Sequence, residues 1–388
     1  MTATITTGPG NNNGNNGNGN GTNATPTRGD AVPRYTGRRS PLAQRFRRGI
    51  VTPGGAVFVL LALLLAALFA LNPQLAGEGQ FTRFIGRTAP IAIVALGQYF
   101  VILSGELDLS MGAVISAQVV LAGNLIGQDA GMILPVLALM ILVALVVGLV
   151  NGLIVTFLRV PSFIATLGTA LVISGLTFYS TGGAPSGNPT DAFRAIGRSG
   201  IDGIPVLGFL PFSVIVLAVL IVLAVLLVRS PFGRMLAAAG DNSRATALTG
   251  ASVAFLRIRA FAISAIASTV AAVLLIGYAG VSPVVGQGYE FTAITAVVLG
   301  GVALSGGRGW VLSAVAGAFV LEVLFSLLDF AGVASTWRPA VQGAIILVAL
   351  GVPLIRWARL RTIVPRRAPQ GGAAHHTGTG SVAGRRKG

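Results

Sequence analysis

The chain of 388 residues contains no cysteine, one lysine (Lys387), two histidines and only 11 acidic residues. Each shortage removes a class of chemistry. Without cysteine there is no disulfide, no thiolate nucleophile and no cysteine metal site. His375 and His376 sit side by side in a polar tail, which reads as a solvated pair and leaves no metal site. A P-loop needs a lysine to reach nucleotide phosphates, and Lys387 lies at the far terminus, so the chain is not expected to hydrolyse ATP itself. No Gly-x-Ser-x-Gly elbow or other catalytic constellation is present, and a non-enzyme is expected. Charge is scarce as well. Only 10% of residues are charged against 53% hydrophobic, where soluble domains carry about 25% charged residues.

A chain so poor in charge cannot cover a water-facing surface, so its apolar stretches must face lipid. Backbone amides in lipid need internal partners, which leaves helices or a closed barrel. The apolar runs are continuous and lack ten-residue alternation, so the expected fold is all-α: a polytopic helical membrane protein of about ten spans. The spans fall at about 55–72, 88–104, 110–126, 132–158, 163–180, 212–228, 257–280, 290–305, 309–330 and 340–357. The formal charge of +16 does not point to nucleic acid, because the arginines cluster in tails and short loops. That is the positive-inside pattern.

Residues 1–49 are Asn/Gly-rich and then Pro/Arg-rich, and are expected to form a disordered cytoplasmic tail rather than a secretory signal. Arg34, Arg38, Arg39, Arg45, Arg47 and Arg48 precede the first span and should hold that end inside. Residues 361–388 form a second basic tail, so both termini are expected in the cytoplasm with the transmembrane domain at 50–360. Alternation then places Arg159, the segment Arg229–Arg259 and Arg308 inside, and the 181–211 loop outside.

Two stretches break the apolar runs with acid among glycines. One is Ser104-Gly105-Glu106-Leu107-Asp108-Leu109-Ser110-Met111-Gly112, which is either a loop or a break within the membrane. The other is Gly286-Gln287-Gly288-Tyr289-Glu290, followed by a short span ending at Gly300-Gly301. Glycine-interrupted segments in corresponding halves point to a translocation path between internal repeats, with broken or short helices beside it. Asp108 and Glu290 stand at helix starts, where a carboxylate meets free amides and the positive dipole end. Capping and pore lining both fit them. A charge at the bilayer centre costs about 2.5–3.5 kcal/mol, so each acid there needs a reason. Asp108, Ser110, Glu290, Gly300 and Gly301 are therefore the pathway candidates. Glu322 and Asp329, seven apart on one helical face, read as a structural polar pair.

The segment after Val228 is longer than a helix–helix connection requires. Asp241 or Asn242 is placed to cap a short helix that Gly250 ends. It is either a solvated loop or a docking helix for a cytoplasmic partner.

Four blocks, in order, resemble the ribose/xylose-type permeases of bacterial ABC sugar importers. Gly105 to Gly112 resembles that family's Gly-Gly-Ile-Asp-Leu-Ser-Val-Gly. Asn151-Gly152 with Arg159-Val160-Pro161-Ser162-Phe163-Ile164-Ala165-Thr166-Leu167-Gly168-Thr169 resembles its second block, and Thr181-Gly182-Gly183 follows. Gly288-Tyr289-Glu290 through Gly300-Gly301, then Leu304-Ser305-Gly306-Gly307-Arg308-Gly309, is similar to a further block. The resemblance spans about 85 to 360. It implies import of a monosaccharide (pentose or hexose) across the bacterial inner membrane. It also implies a second permease copy, a cytoplasmic ATPase that carries the ATP and magnesium, and an extracytoplasmic sugar-binding protein; this chain would bind no cofactor. By the same resemblance Gly240, Asn242, Arg244, Ala245, Leu248 and Gly250 would form the contact with the ATPase, within a cytoplasmic coupling segment at 229–256. Arg244 and Thr246 depart from the Glu and Ala frequent there, and a basic contact implies an acidic patch on the ATPase. Three other readings stand beside this one: a branched-chain amino-acid ABC permease, an ion-coupled secondary transporter using Asp108, Glu290, Glu322 and Asp329, and a scaffold or channel.

Overall fold

The structure, a computed structural model, describes residues 53–185, 187–205 and 207–348. The tails at 1–49 and 361–388, with His375, His376 and Lys387, lie outside the described residues, as does the second half of the last expected span. The described residues are mostly helical. α1 is Pro53–Leu71, α2 Gln80–Leu103, α3 Met111–Ile126, α4 Ile133–Phe157 and α5 Ser162–Thr181. A short α6, Asp191–Arg198, leads into a hairpin of β1, Gly200–Ile204, and β2, Gly208–Pro211. Then come α7 Phe212–Arg229, α8 Pro231–Asp241, α9 Ser243–Leu248, α10 Val253–Ala279, α11 Tyr289–Leu299 and α12 Val311–Phe330. A further helix, α13, occupies residues 338–348.

Among the described residues seven helices are long and apolar enough to cross a membrane, while α3 and α11 are apolar but shorter. At 1.5 Å per residue α11 is about 16 Å long and α3 about 24 Å. Neither matches a hydrocarbon core of about 30 Å. The expected span at 290–305 thus ends early, at Leu299, because Gly300 and Gly301 (φ +76°) stop the helix. Conversely α2 begins eight residues before the expected 88, taking in Arg83 and Arg87, whose charges mask its first two turns from a hydropathy reading.

α2 and α10 run through the middle of the bundle and are mostly buried, whereas α1, α4, α5 and α7 expose most of their surface. The exposed side chains include Leu142, Leu149, Leu171, Val172, Val222 and Leu226, as lipid-facing positions require. Lipid tails are as apolar as leucine, so helices associate here by close packing rather than by hydrophobic burial. Small residues supply that closeness. α10 presents Ala260, Ser264, Ala265, Ala267, Ser268, Ala271 and Ala272 to the interior. A Cβ on Gly97 of α2 would press on Ala267, and one on Gly148 of α4 on the backbone at Ala262.

The bundle has two ends. At one lie α6 and the hairpin, with Phe209 packed on Gly79 at the start of α2. At the other lie α8 and α9, with Gly240 against Leu103 at the end of α2. α2 and α10 therefore run in opposite directions, and each is followed by a break and a shortened helix. After α10, Val281 packs on Gly123 near the end of α3, and Gly286 packs on Gly112 at its beginning. Residues 281–288 thus run back along α3 into the bundle before α11 starts. The amino ends of α3 and α11 meet there, with Glu290 lying over Gly112.

Candidate functional site

The first break forms because Ser104 and Gly105 terminate α2. The Ser104 hydroxyl donates to the Val101 carbonyl at 2.7 Å, and Gly105 adopts φ +84°. The chain then stays unwound to Ser110, with Ser104, Asp108 and Ser110 buried, Glu106, Leu107 and Leu109 half-buried and Gly105 exposed. Non-helical backbone at membrane depth is tolerated only where protein satisfies its amides, and here it does. The Leu107 amide donates to Ser162 Oγ at 3.0 Å and the Leu109 amide to Thr166 Oγ1 at 3.0 Å. Both acceptors lie on the first two turns of α5, so two of the sequence blocks are stitched to each other. The stretch 104–110 is a break inside the bundle, not an external loop.

Asp108 is the centre of a polar knot. Only 1% exposed, its Oδ1 accepts from the Ser110 amide at 2.8 Å and from the Ser110 hydroxyl at 2.6 Å. Its Oδ2 accepts from the Ser264 hydroxyl of α10 at 2.6 Å. Ser110 Oγ in turn accepts from the Asn151 side chain of α4 at 2.9 Å. One carboxylate therefore ties the start of α3 to α10, and through Ser110 to α4. Deeper along α3, the Gln118 amide donates to the Met140 carbonyl and to Thr269 Oγ1. The Ser116 hydroxyl accepts from the Gly286 amide at 3.0 Å, which supports the second break. Asp108 and Glu290 each place a carboxyl group at the amino end of a shortened helix, where free amides and the positive end of the dipole favour an acceptor.

A hydrogen bond contributes roughly 0.5–1.5 kcal/mol net, and a buried polar group left without its partner costs about 1–3 kcal/mol. Asp108→Ala is thus expected to lower the unfolding temperature of the purified protein clearly, and Asp108→Asn, which keeps an acceptor oxygen, much less. Thermal melts in detergent check the order of the two.

The pathway candidates divide. Asp108, Ser110 and Glu290 gather at the meeting of α3 and α11. Gly300 and Gly301 lie away from them, at the far end of α11, where Gly300 packs on the Ser313–Ala314 backbone of α12. Glu322 and Asp329 do not bond to one another. Asp329 pairs with Arg338 at 2.7 Å, and Glu322 is half-buried on α12.

The ATPase-contact candidates divide as well. Asn242, Arg244, Ala245, Leu248 and Gly250 are exposed on α9 and its end. Asn242 caps α9, its Oδ1 accepting from the Ala245 amide at 3.0 Å, and Gly250 closes the turn at φ +84°. Gly240 instead packs inward, where a Cβ would collide with the Leu103 carbonyl and approach the Gly307 amide. The Gly307 amide donates to that same Leu103 carbonyl at 3.0 Å. Gly306 lies against Gly105 in the same way. Three sequence blocks thus meet backbone to backbone at one junction: 103–106, 240–243 and 305–308. Arg308 there pairs with Asp241 at 3.3 Å, with both side chains mostly exposed. Exposed pairs contribute about 0–1 kcal/mol, so Arg308→Ala is expected to leave the melting temperature within a degree or two.

Sequence reading singled out neither Ser264 nor Arg257 as site residues. A signal for Ser264 was present: Ser264, Ser268 and Thr269 are polar residues within a single apolar span.

Shortened helices meeting end to end inside a bundle of spanning helices, with buried polar groups at the join, are features of a membrane-spanning transport permease. The chain belongs to the family described as branched-chain amino acid transport system / permease component, whose model matches residues 80–350, and it is of the ribose-type permeases within it. It is 35% identical over 300 residues to the ribose import permease protein RbsC of Bacillus subtilis, covering 76% of this chain and 90% of that protein. It is 31% identical over 298 residues to the RbsC of Haemophilus influenzae, covering 76% and 90% respectively. The autoinducer 2 import system permease protein LsrC of Yersinia enterocolitica is 31% identical over 319 residues, covering 82% of this chain and 85% of that protein. No solved structure matches.

Proposed function

We propose that this chain is the membrane-spanning subunit of an ATP-driven importer in the bacterial cytoplasmic membrane, passing a monosaccharide, pentose or hexose, delivered by an extracytoplasmic binding protein. The sugar class rests on one observation: the likeness to ribose import permeases over 90% of their length. Both termini lie in the cytoplasm in this reading. The α8–α9 end of the bundle then faces the ATPase, and α6 with the hairpin faces the binding protein. A cytoplasmic subunit binds ATP and magnesium, and this chain binds no cofactor. The residues 229–256 form the coupling segment, with Asn242, Arg244, Ala245, Leu248 and Gly250 on its contact surface. A second permease copy completes the path.

The mechanism follows from the junction. Closure of the ATPase moves α8 and α9, and Gly240 rests directly on the carboxyl end of α2. Movement is thereby delivered to the break at 104–110 and to Asp108, beside the amino ends of α3 and α11. A branched-chain amino acid is the second reading for the cargo, favoured by the family's own description.

The test is purification of tagged chain in mild detergent with identification of every co-purifying protein. Recovery of an ATPase bearing a P-loop, together with a sugar-binding protein, is expected. The chain alone, even after crosslinking, would overturn the reading.

A further inference from the structure

Four ion pairs join described residues, and one differs from the rest in kind. Arg198–Asp191, Arg308–Asp241 and Arg338–Asp329 are substantially exposed, whereas the Arg257–Glu106 side chains are 24% and 12% exposed. Arg257 Nη2 lies 3.0 Å from Glu106 Oε1 and also donates to Ser243 Oγ at 3.3 Å. Ser243 is the first residue of α9, and Glu106 lies in the break, two residues before Asp108. One guanidinium nitrogen therefore holds both the segment assigned to the ATPase and the unwound stretch beside the path.

The geometry of α10 extends the point. Ser264, which binds Asp108, is seven residues beyond Arg257 and hence on the same helical face, about 10 Å along the axis. The break is thus pinned to a single face of α10 at two places, by a charge pair at Glu106 and a hydroxyl at Asp108. The partly buried charge pair is the one of the two fixings that also reaches α9. A guanidinium is suited to this, since its planar fork donates in several fixed directions at once.

We propose that Arg257 is the positioning residue that passes displacement of α9 to the break at 104–110, so that Asp108 moves when the ATPase closes. The proposal rests on the importer reading above. It assigns to Arg257 a role that a merely structural ion pair would not have: the state of the ATPase is read out at Leu107 through it.

The chain has no cysteine, so Leu107→Cys provides a single reporter of the break. The experiment follows thiol labelling of that cysteine in the complex of chain and ATPase, before and after trapping with ATP and vanadate. In the Arg257 background trapping is expected to change the labelling rate roughly tenfold, a size typical of coupling between sites. With Arg257→Gln the change is expected to fall below about twofold while the ATPase still co-purifies. The exchanged pair, Glu106→Arg with Arg257→Glu, restores the charge contact but leaves no donor toward Ser243, whose own hydroxyl donates to the Ala239 carbonyl; it is expected to respond no more than the glutamine variant. Arg257→Lys keeps the charge without the fork and is expected to give an intermediate response; it serves if the glutamine variant fails to fold. Equal responses in the arginine and glutamine proteins, or in the arginine and lysine proteins where lysine stands in, would overturn the proposal, as would an exchanged pair with the full response. A parent protein that binds the ATPase but whose Cys-substituted break ignores trapping overturns the transmission role alone. A parent that brings down no ATPase overturns the importer reading itself.

Discussion

Replacing Gly240 with alanine is expected to abolish transport and to lower the unfolding temperature, although glycine is the poorer helix former. Gly240 lies in α8, where alanine would gain up to about 1 kcal/mol of helix propensity. Against this stands the geometry at Leu103, whose carbonyl a Cβ would strike, with the Gly307 amide and the Leu103 carbonyl carbon also too near. These are backbone atoms and cannot rotate away. Overpacking of this sort costs typically 1–3 kcal/mol even where side chains can adjust, so the clash outweighs the propensity gain. Relief requires α8 to lift from the end of α2, where the α8–α9 segment rests backbone to backbone on the core of the bundle. Uptake is expected to fall by more than about tenfold, corresponding to at least about 1.4 kcal/mol. Thermal melts and uptake assays on the same preparation check both effects. Wild-type behaviour in both would mean that Gly240 has room the structure does not show.

The second large effect is expected at Leu248, and it has the opposite signature. Leu248 is 86% exposed on α9, at an end of the bundle that also carries Arg234, Arg244 and Asp241 in the open. A single exposed leucine is ordinary on a protein surface; it is its place on α9, the segment the importer reading assigns to the ATPase, that makes Leu248 the residue to test. Leu248→Asp is expected to leave the melting temperature unchanged, because the side chain contributes little to packing within the chain. Loss of the co-purifying ATPase and of uptake is expected instead, on the order of tenfold or more if the leucine is an anchor of the contact. Leu248→Met, similar in volume and polarity, is expected to keep both. Normal ATPase recovery with Leu248→Asp would remove α9 from the contact surface. Taken together, the two substitutions separate a residue that holds the segment in place from one that meets the partner.

The fold class was legible because the chemistry leaves little choice: 10% charged residues and long apolar runs allow a helical membrane protein and little else. Span ends were legible where glycine or proline punctuates, as at Gly127 and Pro161, and not where charge hides a helix, as at Arg83 and Arg87 in the first turns of α2. The break at Gly105–Leu109 was visible as a disturbance, but its nature was not. Whether such a stretch leaves the bundle or stays buried depends on acceptors supplied by Ser162 and Thr166, more than fifty residues away. Asp108 was found because an acid in an apolar run is costly. Ser264, its partner across the bundle, was passed over because serine in a span carries no such cost and bonds its own helix readily. Gly240 was grouped with Asn242, Arg244, Ala245 and Leu248 by the family resemblance of that segment. The structure divides them by face, which a short segment without clear amphipathic period does not declare. Arg257 was not singled out, standing only as the first residue of the expected span at 257–280.

The importer reading is tested most directly by reconstitution. The chain and its co-purifying ATPase are placed in lipid vesicles with ATP trapped on the ATPase side. The binding protein and labelled ribose are supplied on the other. Accumulation that requires ATP, stops with vanadate and is indifferent to ionophores is the expected result. Accumulation that ignores ATP and collapses when an ion gradient is dissipated would contradict it, and would return Asp108, Glu290, Glu322 and Asp329 to the role of an ion-coupling site.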